Sequence, residues 1–471
     1  MEILKAAIDS FGSAIVVPVI LYIIARVLKV SRGEAFRSAL SAGVSLEGFI
    51  LIIGAYTPIV TPLIEDMSAF LSDYTGVSLD TFDVGWQATS VVAYATSAGM
   101  IFLGLGIALQ TVLFFLKWTN VFQPADLWNN YSYIVWGAMV IYATGNYLLG
   151  IGLMILLNLY SLLISELIAK RWSAYYRFPN CTIVSMHNVE PAVFAILIDP
   201  IYNLLGLHKK RVHRKRRWHH PALLGEPMTL GFLIGMGIGL LGSVRQLDTL
   251  QGWGTACECA IATAAIMAIF PKVASMFAQA FVPITEAAKS HVKGEDREWF
   301  IAINDAVGFG EPRNLETGLI LIPVMILLAI LLPGNRVLPV VDLLALPYMI
   351  EGLTAVYHGN RLKIFLTAVI WFGLGLWMCS FTAPLFTRVA VAAGFSISAG
   401  MIYITSFNIL GKPLMGLIFL AFLSQNPVWI ALTVVIYLLL AILYKKYKLQ
   451  ITQYLEDQAE KNRESDTVRD E

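Results

Sequence analysis

Charge is what this 471-residue chain has least of: 14% of its residues are Asp, Glu, Lys or Arg, against about 25% in soluble proteins. That scarcity excludes an ordinary water-soluble domain. Cysteine is scarce too. The four are Cys181, Cys257, Cys259 and Cys379, and none forms a C-x-x-C pair. The C-E-C of 257–259 lies in an apolar stretch with no neighbouring histidine, so a zinc site is not expected, and the cysteines read as small apolar filler. There is no G-x-x-x-x-G-K-[ST] loop, so the chain carries no nucleotide site of that kind. A magnesium-dependent enzyme acting on a lipid diphosphate needs clustered acids. Asp80 and Asp83 make only one sparse pair. The first thirty residues lack a cationic lead-in and a small-residue cleavage site, so the first apolar segment reads as a retained span. No metal and no cofactor is expected.

What the chain has instead is apolar residues, 57% of the total, in blocks long enough to cross a bilayer, which takes about 20 residues as a helix. The fold class is an all-α polytopic membrane protein. Clear spans are expected near 11–29, 41–61, 98–116, 133–150, 151–168, 192–206, 228–243, 255–270, 317–333, 363–381 and 428–444. Weaker segments lie near 272–285, 338–357, 383–400 and 402–424. Residues 1–445 form the membrane domain. Residues 446–471 form a charged, amphipathic tail, expected to be a cytosolic helix that frays. The polar stretch 286–300 is expected to be an external loop.

Net charge is only +1, yet the basic residues cluster. His208–His220 reads HKKRVHRKRRWHH. Smaller groups are Arg26/Lys29/Arg32, Lys170/Arg171/Arg177 and Lys445/Lys446/Lys448. Lys- and Arg-rich short loops stay in the cytoplasm, so these mark the inner face. Lipid headgroups or an acidic partner suit the long cluster better than nucleic acid.

Three polar zones interrupt the apolar pattern: DVGWQATS at 83–90, NCTIVSMHNVEP at 180–191 and INDAVGFGEPRN at 303–314. Non-helical backbone at membrane depth requires protein or water around it, and such breaks mark substrate sites in transporters. Gly-Glu-Pro occurs twice, at 225–227 and 310–312, each time before an apolar run. Proline suits a first helical turn and a carboxylate suits the helix dipole there, so each can be a helix start. The alternative is a polar tip facing a ligand, with the repetition hinting at duplication.

A set of short motifs adds a resemblance. DVGW at 83–86, DLWN at 126–129, YATG at 142–145, a His187 loop ending in Pro191, GEPMTLGFLIG at 225–235, Asp305 before a Gly310 turn, LPGNRVLPVVDL at 332–343 and HGN at 358–360 occur in this order. Together they resemble the membrane component, IIC, of the galactitol-type phosphotransferase system. The resemblance implies a homodimer with about eleven spans, each protomer a scaffold holding a mobile core, with two re-entrant hairpins gripping the sugar. It also implies an elevator-type movement toward the cytoplasm, where a separate IIB protein, itself supplied by IIA, phosphorylates the sugar from a cysteine. Localisation would be the bacterial inner membrane, multi-pass, with a cytoplasmic C-terminus. The chain departs from the family at Tyr131-Ser132, where relatives often have Trp-His, and at Gly310-Glu311-Pro312, where some have Gly-His-Thr. An ion-coupled secondary transporter of a small polar solute is the rival reading.

An uncharged polyol buried away from water needs each hydroxyl paired. Asp305, which matches the family's hairpin acid, leads as hydroxyl acceptor and possible catalytic base. A turn-capping Asp would look the same. His187 and Asn188 follow, since four of the seven histidines lie in the basic loop. Trp86 and Gln87 offer an aromatic face and an amide. Tyr142 and Asn146, four apart, are expected to share a helical face lining the cavity. Glu226 and Glu311 complete the set.

Overall fold

The structure, a computed structural model, describes residues 13–467 except 28, 76–78, 124–126, 208–226, 281, 285–286, 288–297, 304–307, 309–310, 340, 396 and 398–401. The first half runs α1 (Ser13–Val27), α2 (Arg32–Thr75), β1 (Thr81–Asp83), α3 (Trp86–Ala95), α4 (Ser97–Phe115), β2 (Val121–Phe122), α5 (Leu127–Thr144), α6 (Tyr147–Tyr176), β3 (Cys181–Thr182) and α7 (Met186–Leu204). The second half runs α8 (Pro227–Gly242), α9 (Leu250–Ala280), β4 (Phe300–Ala302), α10 (Pro312–Leu331), β5 (Val337–Leu338), a 3₁₀ turn (Asp342–Ala345), α11 (Leu346–Met349), α12 (Glu351–Val356), α13 (Arg361–Ala392), β6 (Tyr403–Thr405), α14 (Phe407–Leu410) and α15 (Pro413–Leu423). A final helix, α16, spans Pro427–Thr467.

The strands form two small parallel sheets, ordered β5-β1-β6 and β2-β4-β3. Exchanging β1 with β4, β2 with β5 and β3 with β6 turns one order into the other. The halves therefore repeat one plan, with each sheet drawing one strand from one half and two from the other. In that plan α8 answers to α1, and α10 to α3 and α4. The two Gly-Glu-Pro sequences, whose prolines Pro227 and Pro312 open α8 and α10, are not equivalent positions in it. The symmetry lies in the strand order and not in those three residues.

Five helices among the described residues are long and apolar enough to cross a membrane: Tyr147–Tyr176, Leu250–Ile269, Pro312–Leu331, Arg361–Ala392 and Pro427–Asn462. Shorter apolar helices are Ser132–Thr144, Gly231–Gly242 and Pro413–Leu423. Several expected boundaries move. The segments 363–381 and 383–400 were expected to be separate, but α13 runs on through Pro384 to Ala392. Proline removes one helical hydrogen bond, and packing on both sides holds this helix continuous, with Ala383 and Phe386 fully buried. In the tail, α16 bends at Tyr447 and is helical to Thr467. Glu298, at the end of the supposed external loop, pairs with Lys448 at 3.7 Å, which puts it at the end of the bundle assigned to the inner face.

Two stretches double back on a long helix. After α6, residues 183–184 return alongside it: Ser165 Oγ donates to the Ile183 carbonyl at 2.6 Å and Ser161 Oγ to that of Val184. Helix α7 then runs back, so that Asp199 and Asn203 meet Lys363 at the start of α13. After α13 the pattern recurs. Ile404 N donates to Thr387 Oγ1 at 2.9 Å. Phe407 lies lower, its ring 5.8 Å from that of Phe372, and α15 returns to set Phe422 against Gly152.

Helices α1, α2, α8 and α9 pack closely on one another. The α8–α9 contact uses a Gly231-Gly235-Gly239 stripe. A methyl group on Gly235 would lie 2.5 Å from Thr263 Oγ1 and 2.6 Å from the Cys259 carbonyl. Such small-residue seams let membrane helices approach closely. Gly237, on the same helix, has nothing within 4 Å. Gly235→Ala should therefore cost about 1–3 kcal/mol through overpacking. Gly237→Ala should be neutral or stabilising by up to about 1 kcal/mol. Thermal unfolding of the two variants in detergent checks this, and equal effects would contradict the packing described.

Candidate functional site

The strand ends deliver polar groups to the middle of the molecule. The clearest case is Asp83, at the end of β1. Its Oδ1 accepts from Gly85 N at 3.0 Å and Phe407 N at 3.3 Å, and its Oδ2 from Asp342 N at 2.7 Å. Asp342 Oδ2 accepts from Ser406 Oγ at 2.7 Å and Asn408 N at 2.8 Å. One carboxylate from each half thus staples β1, the β5 turn and the β6 turn together. Both side chains are buried. Asp80 points elsewhere, paired with Arg336.

The second convergence joins α7 and α15. Glu190, fully buried, accepts from Met415 N at 2.6 Å. It therefore caps α15 from the other half of the chain. This satisfies an N–H that a helix start leaves orphaned. Glu190 Oε2 has no hydrogen-bond partner among the described residues. Lys412, just before α15 and 1% exposed, donates to Ser132 Oγ at 3.2 Å. Ser132 is one of the two positions that depart from the family pattern.

His187 and Asn188 open α7 inside this region and are buried. The His187 ring meets the Tyr348 ring edge-on at 5.3 Å. The Tyr348 hydroxyl accepts from Asn408 Nδ2 at 2.9 Å. Asn188 Nδ2 donates to Ser185 Oγ at 3.1 Å, and its Oδ1 accepts from Gly352 N at 3.4 Å. The helix start at Trp86 is fixed by Gly85, whose φ of 61° suits glycine alone and whose α-carbon has no room for a methyl beside Val341. Trp86 and Gln87 thus begin α3 at the end of the strand that carries Asp83.

Tyr142 and Asn146 do not share a helical face. Helix α5 ends at Thr144. Asn146 instead caps α6, accepting from Leu148 N and Leu149 N at 3.0 and 3.2 Å, and both residues are exposed. The Gly145-Asn146 turn outweighs the apolar continuity that suggested one helix. Glu311 does not cap α10 with its side chain. Its carboxylate accepts from Tyr175 OH at 2.6 Å. Asp305 and Glu226 lie outside the described residues. Gly308, three residues after Asp305 in sequence, sits so close to the buried Glu351 that a methyl there would meet its Oε1 at 2.2 Å.

Sequence reasoning missed Asp342, Glu190 and Lys412. Asp342 had a readable signal, a V-x-x-x-x-D-L pattern present at 121–127 and again at 337–343.

A body with buried amides, hydroxyls and carboxyls at the ends of broken segments, between apolar helices, suits an uncharged polyhydroxy ligand. The chain matches the sugar-specific permease component of the PTS system, EIIC-GAT type, over residues 7–400. It belongs to that family. This PTS permease component is 25% identical over 428 residues to the galactitol-specific EIIC component of the PTS system of Escherichia coli K12, covering 90% of this chain and 92% of that one. It is 27% identical over 405 residues to a putative permease IIC component of the same strain, covering 85% of this chain and 90% of that one.

Asp83 gives the permease a stability test. Asp83→Ala strips the acceptor from three buried N–H groups, each costing about 1–3 kcal/mol when unpaired. The loss should be about 3 kcal/mol or more. Asp80→Ala, which breaks a half-exposed ion pair, should cost about 1 kcal/mol or less. Denaturation in detergent compares them, and a smaller loss for Asp83→Ala would contradict the stapling role.

Proposed function

We propose that the chain is the translocating IIC subunit for a galactitol-like polyol or a related sugar, moving it by an elevator-type motion coupled to phosphorylation by a separate IIB protein. The observation that carries this reading is the meeting of α7 and α15 through Glu190. In it, the two doubled-back stretches are re-entrant hairpins entering from opposite faces, and their polar ends flank the sugar. Helices α6 and α16 run parallel, with Glu166 near Lys448 at 3.6 Å and Arg171 on Glu456 at 2.8 Å. Two basic clusters therefore share one end, which by the positive-inside rule is cytoplasmic, and the C-terminus lies there.

His187, Asn188, Trp86 and Gln87 bind hydroxyls and a sugar face. Asp305 accepts a hydroxyl proton, with Glu226 and Glu311 at the margins. Helices α1, α2, α8 and α9 form the scaffold of a homodimer, and the remaining helices form the moving core. IIA supplies phosphate to the IIB cysteine.

Uptake of labelled galactitol and hexoses into vesicles, with and without IIB and a phosphoryl donor, tests the function. The expected product is phosphorylated sugar inside the vesicle, formed only with the partner present. Accumulation of free sugar driven by an ion gradient would establish the rival secondary transporter. Asp305→Asn should weaken binding roughly ten- to a hundredfold, the loss of one charged acceptor at about 1.5–3 kcal/mol. Unchanged affinity in a folded variant would remove Asp305 from the site.

A further inference from the structure

Residues 448–467 of α16 lie beyond its apolar span, past the non-helical Tyr447 at φ −110° and ψ 18°. They do not project freely. They lie on the ends of α6, α7 and α13, and the contact is mostly polar. Gln458 Oε1 accepts from Asn203 Nδ2 at 2.6 Å. Asn203 Oδ1 and Asp199 Oδ1 in turn accept from the buried Lys363 at 2.8 and 2.7 Å. Asn462 Oδ1 accepts from Asn360 Nδ2 at 3.3 Å, and Glu456 pairs with Arg171 at 2.8 Å. Among the described residues of this part the buried apolar side chains are Leu455 and Ala459, with Ile451 and Tyr454 half-buried.

The footprint touches both segments that carry candidate site residues. Asn203 and Asp199 are on α7, the helix that His187 and Asn188 open. Arg171 also contacts His358 Nδ1. The His358 ring meets that of Tyr175 at 5.4 Å, and Tyr175 holds Glu311. A hinged helix held largely by hydrogen bonds and by ion pairs, Glu456 with Arg171 and Lys448 with Glu166 and Glu298, with only two buried apolar side chains among the described residues, has the makings of a reversible contact.

We propose that residues 448–467 are a releasable latch: docked, they hold α7 and the Glu311 turn in place, and undocked, they free both to move. The inference rests on the reading of α7 as a substrate-carrying hairpin. Release changes the rate of transport and leaves the binding groups themselves intact.

The test uses the full chain. In Glu456→Gln/Gln458→Ala/Asn462→Ala, hydrogen exchange within 448–467 should speed up at least tenfold without sugar present, and the uptake rate should rise at least threefold with affinity within twofold. In Asn203→Cys/Gln458→Cys, oxidation should lower uptake at least tenfold with affinity retained, and reductant should restore it. Unchanged uptake in either variant overturns the latch. So does loss of affinity in step with loss of thermal stability, which would mark a static brace. Failure of the wild type to bind any polyol would instead sink the functional reading, while the exchange result would still report on docking.

Discussion

An extended segment buried in an apolar body carries a donor and an acceptor at each residue, and each left unpaired costs several kcal/mol. This constraint shapes the permease. Six short extended segments enter its interior, and all six are paired in two parallel sheets. Pairing lets the chain stop being helical at depth. Stopping frees the ends of helices, and helix ends are where unpaired N–H groups and polar side chains collect. The strands and the polar centre are consequences of one requirement.

The same requirement couples the halves. Asp83 from the first half accepts from Asp342 and Phe407 of the second. Glu190 from the first caps α15 of the second. Each side chain answers a backbone donor of the other half with a hydrogen bond. A centre tied together in this way holds its polar groups in fixed relation to one another. The latch proposed for the tail fits this division: it grips the helix ends at the periphery and leaves the stapled centre alone.

The sequence showed where the chain breaks more clearly than what the breaks do. DVGW, the His187 zone and the Asp305 zone each follow a strand, and their polar residues stood out against apolar flanks. The strands did not, because two or three residues carry no readable period. Asp342 and Lys412 sit in long apolar runs, and although the V-x-x-x-x-D-L repeat marks Asp342, the partners of both lie some 260 and 280 residues away, a distance over which one sequence says nothing about contact. Tyr142 and Asn146 misled because spacing implies a shared face only if the helix continues, and Gly145 with a capping Asn ends it. The tail's amphipathic pattern was visible, but its cover was not, since the groups it meets come from three separate helices.

The central claim is that α7 and α15 are hairpins entering from opposite faces and meeting at Glu190. Single cysteines at Pro179, Leu204, Ala392 and Ser424, in a Cys257→Ala background, test it with an impermeant thiol reagent applied to intact cells and to inverted vesicles. Residues 179 and 204 should react only from the cytoplasmic side, and 392 and 424 only from outside. If 179 and 204 react from opposite sides, α7 is a full span and the account fails.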